Sequence, residues 1–286
     1  MNSERRSSPI GQIMGQAVAQ QARQFTHCLI TVEGEAAGIA TAVAVRLGKR
    51  FFLATAAHVV DKDVSIKALV RDQVALCVSD FVAKHCDNRH DVGVLEVSPA
   101  DADRFEFLPL DRLFETIDNS RELPAMVVGF PGQFCQQSKP IELTPENSIR
   151  VIRTDTLSFY TVILPRSEWP DQGLPDENGI CQPLIVGVDM LIDYAPESDV
   201  RPLRPNTSGT ENSPVQCPSL DPRGMSGGGI WLAQIAESKE RLNYPDTRLI
   251  GLQVSWYRRR NLLRGVRIGA WLDLVRDRYP DLQKVV

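Results

Sequence analysis

The chain has 286 residues, of which 43% are hydrophobic and 24% charged, and this balance is ordinary for a globular protein with an ample core. Its formal net charge is −4 at pH 7, so it has no overall basic surface and we expect no nucleic-acid partner. No run of about 18 apolar residues occurs, so we expect no transmembrane helix and no membrane partner.

The N-terminal 24 residues are polar and predict a short helical segment. Ile13, Met14, Val18 and Ala22 fall on one narrow face at helical spacing. Glutamines interrupt this stretch, so it lacks the continuous apolar core of a secretion signal. The six cysteines show no tight pairing, and free thiols in a reducing cytoplasm are the simplest account. The predicted location is therefore cytoplasmic.

Short apolar runs follow and predict the strands of a first antiparallel β-barrel. These runs lie at residues 28–32, 38–45, 50–54, 64–70, 74–81 and 92–97. Leu47-Gly48-Lys49 predicts a hairpin turn between the second run and the third. The charged, proline-containing stretch 98–123 is interpreted as the linker that crosses to the second half.

Two residues capable of acid–base chemistry flank these runs. His58 follows the apolar run Phe51–Ala57, and Asp91 comes directly before Val92–Val97. A carboxylate at the start of a strand can accept a hydrogen bond from one ring nitrogen of a histidine. This bond fixes the tautomer and stabilises the imidazolium ion. Asp87 is a rival for this role, but we prefer Asp91 because the strand directly after it fixes its position.

The second half predicts another antiparallel barrel and a terminal helix. Its apolar runs lie at residues 125–130, 148–153, 157–164, 184–192, 229–234, 249–256 and 265–268. Residues 270–279 show helical spacing and stop at Pro280. Residues 165–182 and 195–219 are polar and rich in proline, and they predict long loops. The second loop leads into Ser226, where it either gates a site or forms a solvated insertion.

Ser226 lies in the glycine-rich run Gly224-Met225-Ser226-Gly227-Gly228-Gly229. Glycine tolerates backbone angles that other residues avoid, so the chain can turn sharply here. Such a turn can aim the amides of Gly224 and Ser226, with Met225 as a further donor, at one point beside the hydroxyl. Converging N–H donors next to a nucleophile form an oxyanion hole. A merely flexible turn is the alternative interpretation.

The order of the candidate residues restricts the type of catalytic site. All four histidines precede Ser226, whereas α/β-hydrolases place the histidine after the nucleophile. The subtilisin order needs an aspartate before the histidine, and the first aspartate of the chain is Asp61, which follows His58. The order that remains is His58, Asp91, Ser226.

Three motifs in this order resemble the signatures of trypsin-like, chymotrypsin-fold serine proteases. They are Thr-Ala-Ala-His at 55–58, Asp-Val-Gly-Val-Leu at 91–95 and Gly-Met-Ser-Gly-Gly-Gly at 224–229. Gly251–Trp256 also resembles the family strand that lines the primary specificity pocket and pairs with the substrate backbone. The resemblance extends over about residues 25–280 and is to a bacterial-style cytoplasmic member.

The resemblance implies an all-β fold of two antiparallel six-stranded β-barrels with a C-terminal helix. Residues 1–24 are then an N-terminal extension, 25–120 the first barrel with His58 and Asp91, and 121–286 the second barrel with Ser226. Together they make one peptidase domain. The implied activity is that of a serine endopeptidase acting on protein or peptide substrates, with no cofactor.

The chain departs from the family at positions that control activation and specificity. Secreted members have aspartate before the serine, where it pairs with a newly cut N-terminus. Met225 cannot form this pair, so we expect no such activation. Leu220, six residues before the serine, and the ring of Tyr257 after Ser255 and Trp256 predict an uncharged, small residue at the substrate position before the scissile bond (P1). A shifted alignment would instead place Asp221 in that pocket.

Other interpretations of the chain remain open. A protease-fold module that binds a protein or peptide without cutting it is one, and an esterase with the same nucleophile is another. An active intracellular protease needs restraint, so we expect a regulatory protein partner, narrow specificity or gating by the long loops. His85, Cys86 and His90 match no standard zinc spacing, so we expect a polar loop before Asp91 and no metal. Cys135 has no candidate base, and the run Arg258–Arg260 predicts a solvated loop.

Overall fold

The alternating apolar residues of the first half form an antiparallel sheet. The computed structural model describes residues 9–33, 36–60, 65–69, 81–142, 148–154, 156–175, 181–194, 221–234 and 246–285. The strands of the first sheet are β1 (Thr26–Glu33), β2 (Ala36–Leu47), β3 (Arg50–Thr55), β4 (Ser65–Leu69), β5 (Ala83–Asp87), β6 (Val92–Val97) and β7 (Leu108–Pro109). Their order is β4-β1-β2-β3-β6-β5, and β7 pairs in parallel with β2.

This sheet agrees with the predicted strands where they are described and adds a strand that was not predicted at positions 83–87. The segment Ala83–Asp87, interpreted from the sequence as a polar loop, is strand β5 and pairs with β6. The predicted run 74–81 lies outside the described residues except for Phe81. The described strands form an open path from β4 to β5, so a closed first barrel is not shown.

The second half contains a closed barrel of six strands, as predicted. The described strands of this half, in and outside the barrel, are in chain order β8 (Leu123–Gly129), β9 (Cys135–Glu142), β10 (Ser148–Thr154), β11 (Leu157–Ile163), β12 (Leu174–Pro175), β13 (Cys181–Gln182), β14 (Asp189–Asp193), β15 (Gly229–Gln234), β16 (Asp246–Tyr257) and β17 (Leu262–Arg267). The barrel runs β11-β14-β17-β16-β15-β8 and closes because β8 pairs with β11. Strands β9 and β10 form a separate hairpin.

Two predicted features of the second half are corrected. The apolar run 184–192 is a strand only from Asp189, because residues 186–188 form a turn and Gly187 has a φ of 85°. The Asp189 carboxylate accepts a hydrogen bond from Ile185 N at 2.6 Å, which closes this turn. The predicted loop 165–182 contains the short pair β12 and β13. The predicted loop 195–219 lies outside the described residues.

In the described part of the chain, four α-helices accompany the sheets: α1 (Pro9–Phe25), α2 (Ala57–Val60), α3 (Pro99–Ala102) and α4 (Ile268–Arg278). The predicted N-terminal segment is α1, whose Val18, Ala19 and Ala22 are buried in the core. Its last residue, Phe25, stacks on buried Trp231 of β15 with the ring centroids 6.4 Å apart. Helix α1 is therefore packed on the barrel through apolar contacts.

Helix α4, predicted from residues 270–279, lies between the two sheets. The side chain of Trp271 is fully buried, and its Nε1 donates to Gly93 O in β6 at 3.0 Å. The C-terminal helix thus contacts the strand that follows Asp91. Among the described residues, no helix has the length and apolar character needed to cross a bilayer.

Candidate active site

The Ser226 loop is a pair of tight turns anchored in the barrel core. Met225 N donates to Pro222 O at 2.9 Å, and Gly228 N donates to Met225 O at 2.7 Å. Gly224 and Gly227 have positive φ angles of 95° and 87°, which only glycine adopts at low cost. The Met225 side chain is fully buried in the cluster that includes Ile230 and Ile250. Apolar packing of Met225 therefore holds this loop in place, at a position where methionine cannot form an ion pair.

Thr41 of β2 joins the Ser226 loop to the first sheet. Thr41 N donates to Ser226 O at 2.9 Å. The Thr41 hydroxyl donates to Gly224 O at 3.0 Å and accepts from Phe130 N at 2.9 Å. One fully buried side chain thus connects the loop, β2 and the end of β8. No local pattern predicts this role, because Thr41 has the sequence context of an ordinary strand residue.

Gly227 is packed so closely on the first sheet that no side chain fits there. A Cβ on Gly227 would lie 2.0 Å from Thr41 O and 2.3 Å from Thr55 Oγ1. Thr55 ends β3 and donates through its hydroxyl to Thr41 O at 2.7 Å. Gly227, which follows Ser226, is therefore in contact with Thr55, which lies three residues before His58.

Thr41→Val is expected to lower the free energy of unfolding by about 2 kcal/mol, because it leaves the buried Phe130 N–H and Gly224 C=O without their partner. Valine has nearly the shape of threonine, so the loss reports the hydroxyl rather than packing. Chemical denaturation measures it. The control is Thr31→Val in β1, whose hydroxyl makes no hydrogen bond with a described residue, and a shift below about 0.5 kcal/mol is expected there. Equal losses in the two variants would show that Thr41 has no special role.

The peptide between Arg223 and Gly224 is held in one orientation. Gly132 N donates to Arg223 O at 2.7 Å. Because a trans peptide is planar, its C=O and N–H point in opposite directions. The bond to Gly132 therefore turns the Gly224 N–H to the other side of the peptide.

Two of the three candidate oxyanion donors have no acceptor among the described residues. Neither Gly224 N nor Ser226 N donates a hydrogen bond to another described residue. The third candidate is corrected: Met225 N is engaged with Pro222 O, so it cannot serve. The arrangement leaves two N–H donors on either side of Met225 next to the Ser226 hydroxyl.

His58 and Asp91 are in direct contact. His58 lies in α2, just after β3, and its Nδ1 is 3.0 Å and 3.1 Å from the two Asp91 carboxylate oxygens. The His58 backbone N–H also donates to Asp91 Oδ1 at 3.2 Å. A carboxylate only accepts, so it selects the tautomer with hydrogen on Nδ1 and a lone pair on Nε2. That tautomer is the one a general base requires.

The backbone at Asp91 is unusual. Asp91 has a φ of 58°, in the left-handed region where aspartate and asparagine are the tolerated non-glycine residues. Gly93 follows, where a Cβ would lie 2.6 Å from Val60 Cγ2 and 2.9 Å from Ala56 O. This close approach brings the start of β6 onto α2. The rival Asp87 is placed elsewhere, with its Oδ2 2.6 Å from His90 Nδ1.

The Asp91 contact raises the pKa of His58 above its ordinary value of 6.5. The hydrogen bond that His58 donates to the Asp91 side chain is the largest cause of this rise, and partial burial of the ring opposes it. The ring is half exposed and so remains accessible to a reactant. No hydrogen bond between the described residues joins Ser226 Oγ to the His58 ring. Such bonds often form only once substrate is bound.

The candidate substrate strand lies beside the Ser226 loop. Gly227 N donates to Gln253 O and Gln253 N donates to Gly228 O, both at 2.7 Å. Ser255, Trp256 and Tyr257 follow in β16, and all three are partly exposed. The Tyr257 ring packs against the apolar cluster formed by Leu164, Leu174 and Leu191.

The alternative acid for the specificity pocket is already paired. The Asp221 carboxylate accepts from Arg223 N at 3.0 Å and from Arg223 Nε at 2.7 Å. Arg223 is the largest cause of the lowered pKa of Asp221. Leu220, the other candidate for this pocket, lies outside the described residues.

The other histidines and cysteines considered from the sequence are His85, Cys86, His90 and Cys135. Among the described residues, no three histidine, cysteine or acidic side chains are placed to hold a metal ion. His85 packs edge-on against Tyr279 with the ring centroids 5.5 Å apart. The side chain of Cys135 is outside the described part of the chain.

The whole fold is similar to solved serine protease structures. A scabies mite inactivated protease paralogue has a TM-score of 0.50 at 13% identity, with 91% of this chain and 96% of that chain covered. HL collagenase also has a TM-score of 0.50, at 16% identity and with 89% of this chain and 93% of that one covered. No protein-family model matches the sequence. A comparison with curated proteins likewise gives no match.

These likenesses establish the fold class. The closed six-stranded barrel, the accompanying antiparallel sheet and the C-terminal helix form the trypsin/chymotrypsin-like fold of serine proteases. At such low identity the comparison concerns the fold alone.

Proposed function

We propose that this chain is a serine endopeptidase that hydrolyses peptide bonds through Ser226, His58 and Asp91. One observation carries the proposal: the Asp91 carboxylate contacts His58 Nδ1 at 3.0 Å, on the sheet against which the Ser226 loop packs. A binding module has no physical need for a histidine in this tautomer, nor for a serine loop with two amides that donate to no other described residue. The expected substrates are proteins or peptides.

The proposed reaction has two stages with an acyl-enzyme between them. Ser226 Oγ attacks the scissile carbonyl carbon while His58 Nε2 takes the hydroxyl proton. The imidazolium then protonates the leaving amine, and water attacks the ester by the same route. The Gly224 and Ser226 amides donate to the developing oxyanion, and each such donor lowers the barrier by about 3 kcal/mol. The Asp91 carboxylate accepts the Nδ1 hydrogen bond and stabilises the imidazolium.

The experiment that tests this proposal is labelling with a fluorophosphonate, which reacts with an activated serine. Wild type is expected to label, and Ser226→Ala and His58→Ala are expected not to. Ser226 Oγ makes no hydrogen bond with a described residue, so Ser226→Ala should keep the melting temperature of the wild type. Absence of labelling in a folded wild type would contradict the proposal. Cleavage of ester but not peptide substrates would favour an esterase.

Activity is expected to rise with pH through the pKa of His58. The base must be neutral to accept the serine proton, and the Asp91 hydrogen bond raises this pKa above 6.5. The rate constant kcat/KM is therefore low on the acid side, where His58 is an imidazolium ion, and reaches a plateau above its pKa. Measuring kcat/KM from pH 5 to 9 tests this. A flat profile would exclude His58 as the base.

A non-cutting module that binds a protein or peptide partner is the second candidate function. The missing hydrogen bond between Ser226 and His58 favours it, and one neighbour of the same fold is described as an inactivated protease paralogue. A folded chain that fails to label but captures peptides would establish it.

The P1 preference of the enzyme, its regulation and its cellular location are also proposed. Leu220 with Tyr257 favours an uncharged, small P1 residue, since Asp221 is engaged by Arg223. A regulatory protein partner is proposed to restrain the enzyme. The described cysteines form no disulfide with one another, in keeping with a reducing cytoplasm.

A further inference from the structure

Three consecutive arginines form the tip of the hairpin between β16 and β17. Arg258–Arg260 make one turn of 3-10 helix, and all three side chains are exposed. The turn is closed by Asn261, which has a left-handed φ of 51° and whose N–H donates to Arg258 O at 3.3 Å. Asn261 O accepts from Tyr194 N at 2.8 Å. The arginines are therefore carried on an anchored turn.

The positive charge of this turn is not neutralised within the described part of the chain. None of the three arginines forms an ion pair with a described residue. Asp221 is the acid whose pKa Arg258 helps to lower, and the same carboxylate is already held by Arg223. The turn thus carries three positive charges that no described acid pairs with, although the chain as a whole carries −4.

The turn lies at the end of a strand edge that no described strand covers. Strand β15 pairs with β16 only as far as Leu252, and β17 pairs along the other side of Ser255–Tyr257. No described strand pairs with the remaining edge of Ser255–Tyr257. An extended peptide can add to such an edge through main-chain hydrogen bonds. The edge begins two residues after Gln253, which contacts the Ser226 loop.

The direction of the strand decides which half of a peptide meets the arginines. The pocket for P1, the residue that supplies the scissile carbonyl, lies where β16 passes Ser226. In antiparallel pairing, moving from Ser255 to Tyr257 means moving toward the N-terminus of the peptide. Residues that precede P1 therefore extend toward Arg258. The Arg258 guanidinium lies over the Trp256 ring, 5.7 Å from its centroid, and so stays on this strand.

We propose that Arg258 selects substrates with an acidic side chain three to five residues before the scissile bond. This inference rests on the proposed peptidase function. Consecutive residues of a 3-10 turn point about 120° apart, so Arg258 alone is fixed beside Trp256. Arg259 and Arg260 add long-range attraction for the same acidic segment. The substrates are thus peptides with an acidic stretch on the acyl side of the cleavage site.

The test is to sequence the cleavage sites made in a peptide library by wild type and Arg258→Gln. Wild type is expected to enrich Asp and Glu three to five residues before the bond. In matched peptides, replacing that acid by its amide should lower kcat/KM about two- to fivefold, the range of an exposed ion pair. Arg258→Gln should abolish this ratio. In 1 M salt, where the Debye length is about 3 Å, the wild-type ratio should also approach one.

The control variant is Arg46→Gln, which removes the same charge from exposed β2 surface at the strand end away from Thr41. It should keep the full acidic preference. Fluorophosphonate labelling of each variant separates the two proposals. A wild type that labels and cuts without acidic enrichment, or an Arg258→Gln variant that keeps it, overturns the role of Arg258 and leaves the peptidase function standing. A folded wild type that neither labels nor cuts overturns both.

Discussion

Asp91→Asn is expected to lower kcat by about 10⁴-fold while the chain stays folded. The asparagine amide can donate to His58 Nδ1, which would place the ring hydrogen on Nε2 and remove the lone pair that the base needs. Asparagine tolerates the left-handed φ of 58° at this position, so the turn before β6 should survive. The loss would then report the tautomer and not the backbone. Single-turnover acylation with an activated ester measures it.

The control for this prediction is Asp87→Asn. Asp87 lies four residues before Asp91 and contacts His90, so Asp87→Asn should change the acylation rate less than about twofold if Asp91 alone orients His58. A direct readout is the NMR titration of His58. Because the Asp91 hydrogen bond is the largest cause of the raised pKa, Asp91→Asn should lower the pKa of His58. An unchanged pKa, or an acylation rate within tenfold of wild type, would contradict the assignment.

Gly132→Pro is expected to lower kcat by about 10²- to 10³-fold, the effect of losing one oxyanion donor. Proline has no N–H, and its ring carbon would occupy the space of the hydrogen that now meets Arg223 O at 2.7 Å. The Arg223–Gly224 peptide must then turn, and the Gly224 N–H leaves the site. Because the donor acts on the transition state, KM should change much less than kcat.

Gly132→Ala is the matched control. A Cβ at this position would meet Arg223 O at 3.5 Å, which is ordinary contact, and the N–H is kept. This variant should retain most of the wild-type rate. If proline and alanine at position 132 reduce kcat equally, the hydrogen bond does not hold the oxyanion peptide. Melting temperatures of the two variants distinguish that result from general unfolding.

Local patterns in the sequence predicted many of the strands. Strands β1, β2, β3 and β6 alternate or run apolar, and their burial against a core explains why the pattern was readable. The segment Ala83–Asp87 was missed because an edge strand is half exposed and its polar residues give no alternation. The run 184–188 was misread because apolar residues also occur in a turn, here closed by the Asp189 carboxylate.

The residues of the candidate site could be predicted from the sequence, but the contacts that arrange them could not. The order of His58, Asp91 and Ser226 and the glycines around the serine are local facts, and so the sequence alone pointed to these residues. The contacts that arrange them are between distant segments. Thr41 reaches Gly224 across 183 positions of the chain, and Gly132 fixes the peptide before Gly224.

By itself, then, the sequence determined which residues carry the proposed chemistry and most of the strands that hold them, because side-chain type and short-range periodicity act locally. Only the tertiary structure decided that Met225 N is engaged, that the Gly224 and Ser226 amides donate to no other described residue, and that Arg258 lies over Trp256. Each of these depends on the direction of a backbone group or on a contact between strands. Neither can be predicted from a short stretch of sequence.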